Sequence, residues 1–254
     1  MRRGRIGFEL LLGQVLDALP DPPATVVDAG GGTGQLAVAL AAHGYRVTVV
    51  DTSAAMLATC AQRAADEGEA VAERVATVQG DAADLPGLLG EGAQDAAVCH
   101  DLLTRVEDQA ALLASLAGVL TEDGVLSLGF ANRDWLALRA GRRGDHTSAL
   151  RLVEGGGGSG GLMARPPESG GGEAVTLDEV EQQLDKVGLA PVAAYGVGVF
   201  AEAGDEDLGR AELAALVELE RLVAGREPYR SSARTLHLIA RRRIFRPELT
   251  GYTP

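Results

Sequence analysis

Asp28-Ala29-Gly30-Gly31-Gly32-Thr33-Gly34 stands between an apolar run, Thr25-Val26-Val27, and an alanine-rich stretch from Gln35 to His43. The order reads as buried strand, glycine turn, helix. Glycines in such a turn let the backbone approach a ligand with no side chain in the way. The first turn of the helix offers N–H groups that have no partner inside the helix.

Working outward, Gly44 closes the helix, Tyr45 to Val50 forms a second strand, and Asp51 stands at its carboxyl end. An acidic residue there suits the two hydroxyls of a ribose. Both NAD and S-adenosylmethionine carry such a ribose. The dinucleotide fingerprint wants a small residue three places after its second glycine, where this chain has Gln35. Asp28 at the strand tip would repel a pyrophosphate and attract a sulfonium or an ammonium. These two points favour adenosylmethionine over NAD.

Further strands follow at Arg74–Gln79, Asp95–His100 and Val125–Phe130, the last after a turn pair, Asp123-Gly124. Asp81, just past the third strand, can accept from an adenine amino group, and the backbone N–H next to it can donate to the ring. Strands alternating with helical patterns of about 10–15 residues indicate a parallel sheet, with ligands at the strand carboxyl ends. A sixth strand is read at Pro191–Phe200 and a last one, returning antiparallel, at Thr235–Ala240. The expected fold is α/β: a Rossmann-like, doubly wound, seven-stranded, mostly parallel sheet with its last strand antiparallel, plus helical insertions.

The 254 residues suffice for one large domain, 1–254, and 46% hydrophobic content supports a full core. No apolar run reaches membrane-spanning length and no leader pattern is visible, so the expected location is cytoplasmic, without a membrane partner. Cys60 and Cys99 lie in apolar contexts and read as small core residues, and no His/Cys spacing suggests a metal. A net charge of −13 opposes non-specific nucleic-acid binding. Lys186 is the single lysine, while arginines cluster at 2–5, 142–143 and 241–246.

Gly7–Leu19 reads as an amphipathic helix closed by Pro20-Asp21-Pro22-Pro23. Arg133–Leu152 reads as one Arg-rich helix, and Gly155–Gly172 as a mobile glycine-rich loop. Thr176 to Glu179 looks like a capping box for a helix reaching Val187 and ending at Gly188. The acidic stretch around Asp205 is expected to cap a helix from Leu208 to Gly225. If the sixth strand is parallel, the segments 133–172 and 201–234 both leave the cofactor edge and form a lid that binds the substrate. The arginines at 241–243 then fall on the opposite edge.

With these residues in view, the chain resembles the class I S-adenosylmethionine-dependent methyltransferases. Among them it is most similar to the bacterial family of tRNA 5-carboxymethoxyuridine methyltransferases, which esterify a wobble-uridine carboxylate. The resemblance runs nearly end to end. It includes Asp28–Gly34, Asp51 with Ser53 and Met56, His100 before Leu102-Leu103, and Gly124-Val125-Leu126-Ser127-Leu128. More specific are Gly198-Val199-Phe200, Glu227-Pro228-Tyr229, Arg234 and His237. The resemblance implies cofactor contacts at Gly30, Gly31, Asp51, Ala82, Ala83 and His100. Asp28, Gly32, Gly34, Thr52, Met56 and Asp81 complete the expected cofactor set. The family's amino-terminal cofactor arginine aligns with Gly7, and Arg5 is the nearest substitute. Where the family member has a lysine run, this chain has Gly155 to Gly158.

Methyl transfer needs an acceptor lone pair in line with the methyl at about 3 Å. A carboxylate acceptor is already deprotonated and needs no base. Tyr229, Arg230 and Arg234 are the candidates for holding such an anion, with Arg226 behind them. His100 is a candidate for positioning the cofactor or acting as a base. Three functions remain open at this level: methylation of a tRNA carboxylate, methylation of a small acidic metabolite or natural product, and a non-catalytic nucleotide-cofactor-binding module.

Overall fold

The computed structural model describes residues 5–155, 174–201 and 208–243. Seven strands form one sheet: β1 (Thr25–Ala29), β2 (Arg46–Asp51), β3 (Val75–Gln79), β4 (Gln94–His100), β5 (Leu120–Ala131), β6 (Leu189–Val197) and β7 (Thr235–Arg242). Their order is β3-β2-β1-β4-β5-β7-β6. β1 to β5 are parallel, and β7 runs antiparallel between β5 and β6. The order reverses between β1 and β4, and a crevice opens outside the carboxyl ends of such a pair.

Alternation along each strand divides the core in two. On one face Val27, Cys99, Leu126, Leu128, Leu236 and Leu238 pack beneath α6 (Gln109–Val119) and α9 (Leu177–Lys186). On the other, Val26, Val49, Val98, Val125 and Ile239 pack beneath α1 (Arg5–Ala18), α2 (Gln35–Ala42) and α3 (Ala54–Asp66). Cys60 and Cys99 are both buried and free, and burial raises both thiol pKa values. The α9 boundary follows its capping box: Thr176 Oγ1 accepts the Glu179 N–H while Glu179 accepts the Thr176 N–H.

Four local expectations are corrected. β5 begins at Leu120, so Asp123-Gly124 lies inside a strand, within an irregular stretch where the pairing moves from Gln94↔Leu120 to Ala96↔Val125. The polar residues Thr121 to Asp123 are extra length absorbed by that irregularity. The helix expected over Arg133–Leu152 is two helices, α7 (Arg133–Arg142) and α8 (His146–Val153). Gly144 at φ 84° breaks it, and Asp145 caps the second by accepting the Ser148 N–H. β6 stops at Val197, leaving Phe200 in the following loop. Pro191 is tolerated there because β6 is an edge strand and its pairing shifts at that residue. The helix expected from Leu208 is α10 (Arg210–Val223), with Gly209 at its N-cap and no side-chain cap. The acidic stretch 202–207 and the glycine-rich segment beyond Gly155 lie outside the described residues.

Among the described residues no helix is long and apolar enough to cross a membrane, and no group of three His, Cys, Asp or Glu is placed to hold a metal.

Candidate functional site

The loop after β1 is shaped by its own backbone. Gly30, Gly32 and Gly34 have φ of 69°, 55° and 70°, in the left-handed region that favours glycine. Gly31 is needed for another reason. A Cβ there would lie 2.5 Å from the Asp28 carboxylate, which packs directly beneath it. Asp28 is therefore buried under the loop, where a charge facing the ligand was expected. Burial, then the nearby Asp51 charge, pushes its carboxyl up to about 7.

Asp51 ties β2 to this loop. Its Oδ2 accepts the Gly32 N–H at 3.0 Å and its Oδ1 accepts the Ser53 N–H at 2.8 Å. A carboxylate has about four lone-pair sites, so two remain for ribose hydroxyls. Ser53 caps α3 by accepting the Met56 N–H, and Met56 stands exposed on that first turn. Thr52 links the two, its carbonyl accepting from Gln79. At the tip of β3, Asp81 Oδ1 accepts the Ala83 N–H, so Ala83 is engaged within its own turn, while Ala82 is buried.

The tip of β4 closes the other side. Asp101 adopts φ 61°, unusual for a residue with a side chain. Its N–H donates to Gly129 on β5. This turn brings Leu102 over Gly30, where an added Cβ would lie 2.8 Å from Leu102 Cδ2. A Cβ at Gly32, by contrast, would meet nothing nearer than Asp51 at 3.9 Å. The loop is packed from below and open on its Asp51 side. An open glycine turn, a carboxylate with spare lone pairs at β2 and a second carboxylate just past β3 fit the ribose and adenine of an adenosyl cofactor.

His100, half-buried at the end of β4, faces the α1 side of the sheet. Its Nε2 lies 2.8 Å from Ser127 Oγ, which lies 2.8 Å from His237 Nε2. His237 Nδ1 in turn lies 2.8 Å from Gln14 Oε1 on α1. Ser127 and His237 are fully buried.

The residues expected to bind the acceptor gather where β5 ends and β7 begins. Asn132 is fully buried, and its Nδ2 donates to the carbonyls of Ser231 and Ala233 at 2.8 Å each. Its Oδ1 accepts the Asp134 N–H and so caps α7. A cavity of about 710 Å³ lies between α7, α8 and the segment 228–232, lined by Leu138, Arg142, Val153, Pro228, Ser231 and Ser232 among others. Tyr229 is exposed, its ring 5.9 Å from that of Phe200. Arg234 is half-buried, its backbone joined to Gly198 and Asn132. Arg230 is taken up by Glu227 at 2.7 Å. The far-edge placement of Arg241 and Arg242 holds: Arg241 pairs with Ala190 and Arg242 with Leu189, at the amino end of β6.

Asn132, Ser127, Gln14 and Glu220 went unread in the sequence. Glu220 is a fully buried carboxylate on α10 that accepts the N–H groups of Val199, Phe200 and Ala201.

A family model described as methyltransferase domain matches residues 27–128. The tRNA 5-carboxymethoxyuridine methyltransferase of Escherichia coli (strain K12) is 30% identical over 232 residues, covering 91% of this chain and 85% of that protein. A ubiquinone biosynthesis O-methyltransferase of Xanthomonas campestris pv. campestris is 32% identical over 112 residues, 44% of this chain and 45% of that one. Magnesium protoporphyrin IX methyltransferase from Synechocystis, solved with bound S-adenosylhomocysteine, shares the fold at a TM-score of 0.58 and 20% identity, covering 93% of this chain and 82% of its own.

Proposed function

We propose that this chain, which belongs to the class I S-adenosylmethionine-dependent methyltransferases in the family of the tRNA 5-carboxymethoxyuridine methyltransferase, methylates a carboxylate on an acceptor about one nucleotide in size. It is an enzyme, and its methyl donor is S-adenosylmethionine. The observation that carries the acceptor reading is the cavity of about 710 Å³ at the cofactor edge, walled by α7, α8 and the segment 228–232. That volume is within the usual range of about 300–1,000 Å³ for small-ligand sites.

The bound cofactor supplies an activated methyl group on a sulfonium. Asp51 would hold its ribose, Asp81 and the Ala82 N–H its adenine, and the loop Gly30–Gly34 its backbone-facing side. Arg142 lines the cavity; Tyr229 lies within the 228–232 segment of its wall and Arg234 two residues beyond it, and in this reading both reach the acceptor. A guanidinium on one carboxylate oxygen orients the anion and leaves the second oxygen to attack. The two insertions, 133–172 and 201–234, act in this reading as the lid that excludes water.

A 5-carboxymethoxyuridine in tRNA is the acceptor to test first, because the similarity to the E. coli enzyme spans the lid as well as the core. A small acidic metabolite is the second reading. It is favoured by the net charge of −13 and by the last arginine cluster, which sits at the far edge with Arg243 paired to Asp185. Methyl-labelled adenosylmethionine should be incubated with modified tRNA and, separately, with small aromatic acids. A carboxylate acceptor gives a base-labile methyl ester, and a base-stable product would overturn the reading.

A further inference from the structure

The cavity beside α7 is unevenly supplied with hydrogen-bonding groups. Among the described residues, the polar side chains on its wall are Asp134, Arg142, Ser231 and Ser232. A hydroxyl has one proton and two lone pairs. Ser231 Oγ donates to the Pro228 carbonyl at 3.0 Å, and Ser232 Oγ donates to the Tyr229 carbonyl at 2.9 Å. Glu227, whose carboxylate also lies against Ser231, can only compete for that same proton. Both hydroxyl protons are therefore committed within the turn, and each serine offers the cavity lone pairs. An ionised Asp134 also accepts only, whereas Arg142 donates only. These groups are separated along the wall. Asp134 and Arg142 stand eight residues apart on one face of α7, about 12 Å along the axis at 1.5 Å per residue, with apolar Leu138 between them. Asn132 gathers the acceptors at the first end: its Oδ1 accepts the Asp134 N–H and its Nδ2 holds the Ser231 carbonyl.

We propose that Asp134, Ser231 and Ser232 form a subsite that reads hydrogen-bond donors, so that the methyl acceptor is a carboxylic acid that also carries N–H or O–H groups and turns them to this end of the cavity. The acceptor's own carboxylate is excluded from that end, where it would meet a like charge and two oxygens with only lone pairs to offer. It lies instead towards a guanidinium. An alkyl or aryl acid with no other donor leaves the subsite unpaired and is a poor acceptor. Burial raises the Asp134 carboxyl from its ordinary value, with Arg133 opposing, and a donor brought by the acceptor stabilises its charged form. That the acceptor is an acid rests on the carboxylate-methylating reading of the cavity; that it carries donors follows from the hydrogen bonds of the wall.

Two matched pairs of probes separate the donors from the acid. Uridine and its analogue methylated at N3 and at every hydroxyl differ in donors and contain no carboxylate. The pair 4-hydroxyphenylacetate and 4-methoxyphenylacetate share a carboxylate and differ in one donor. Binding is followed by ligand-observed NMR titration of the adenosylhomocysteine-loaded protein. In at least one pair the donor-bearing member should bind about five- to tenfold more tightly, as one net hydrogen bond allows. Ser231→Ala with Ser232→Ala should shrink that preference to about twofold or less. Asp134→Asn, which sets an N–H where the wall had only lone pairs, should do the same. Ser231→Thr with Ser232→Thr keeps both hydroxyls and should retain the preference. Adenosylhomocysteine affinity reports that each variant is folded. Absence of the preference from both pairs, or a preference that both altered walls leave intact, overturns the inference. A preference intact in one of them removes that side chain from the subsite. A base-stable methylated product would count against the carboxylate reading, and the donor preference would still stand.

Discussion

Asp51 reaches across the strand gap to Gly32, its Oδ2 accepting the Gly32 N–H at 3.0 Å. The residue expected to grip the ribose is thus also the residue that shapes the glycine turn. Asp51→Ala removes both roles, and loss of hydrogen bonds to a charged acceptor typically costs about 1.5–3 kcal/mol. Calorimetry with adenosylhomocysteine should show affinity reduced by at least tenfold. Asp51→Asn, which keeps an acceptor for one backbone N–H, should lie between the two. Undiminished binding in Asp51→Ala would remove this residue from the cofactor site.

Asp28 makes a prediction with a definite sign. Its folded carboxyl titrates at about 7 against an ordinary value of 3.8. Between those values the folded protein holds a proton that the unfolded chain has lost. Stability from this group is therefore complete below about pH 4 and declines as pH rises to about 7. The full penalty is on the order of 4 kcal/mol, at about 1.4 kcal/mol per pKa unit. Asp28→Asn should be the more stable protein at pH 8, and its advantage in urea melts should shrink steadily towards pH 4. An advantage independent of pH would mean the carboxyl is ionised throughout.

Glu220 secures the loop after β6. Replacing it with alanine leaves the N–H groups of Val199, Phe200 and Ala201 without their acceptor. Stranding buried donors costs about 1–3 kcal/mol each at most, less where water enters. Glu220→Ala is expected to lose about 2–4 kcal/mol of stability, and hydrogen exchange at Phe200 and Ala201 should accelerate well before exchange in β5. Equal acceleration everywhere would show a global rather than a local anchor.

Arg234 is the acceptor-side test. Arg234→Ala should reduce turnover by about 30-fold or more, in line with a truncated charge pair at about 2–5 kcal/mol, while adenosylhomocysteine affinity stays within twofold. Arg241 is the control, since it is exposed and at the far edge of the sheet. Arg242 is unsuitable despite sharing that edge, because its guanidinium is half-buried against the Ala117 carbonyl and its Nε is buried without a partner. Parallel loss of affinity and turnover in Arg234→Ala would assign it a structural role.

The sheet was legible because its strands are short apolar runs bounded by glycines and acids, and the sequence marks strand, turn and helix in order around Gly30–Gly34. The capping box at Thr176 and Glu179 was legible because both partners lie within one turn. What escaped was set by distance along the chain. Ser127 and His237 meet across 110 residues, and Gln14 and His237 across 223. Glu220 sits among charged neighbours on a helix that reads as solvent-facing, yet it is fully buried because the β6 loop supplies three N–H donors. The interior of β5 was misread because Glu122-Asp123-Gly124 has turn chemistry, which the irregular pairing opposite β4 accommodates.

Asn132 carries one last consequence. A single amide holds Ser231 and Ala233 through its nitrogen and the start of α7 through its oxygen. The two chain excursions beside the cavity are thereby pinned at one point, like two doors hung on a common post. Neither can swing far alone without pulling a buried amide away from its partners, so a displacement of the 231–233 segment would disturb the first turn of α7 as well.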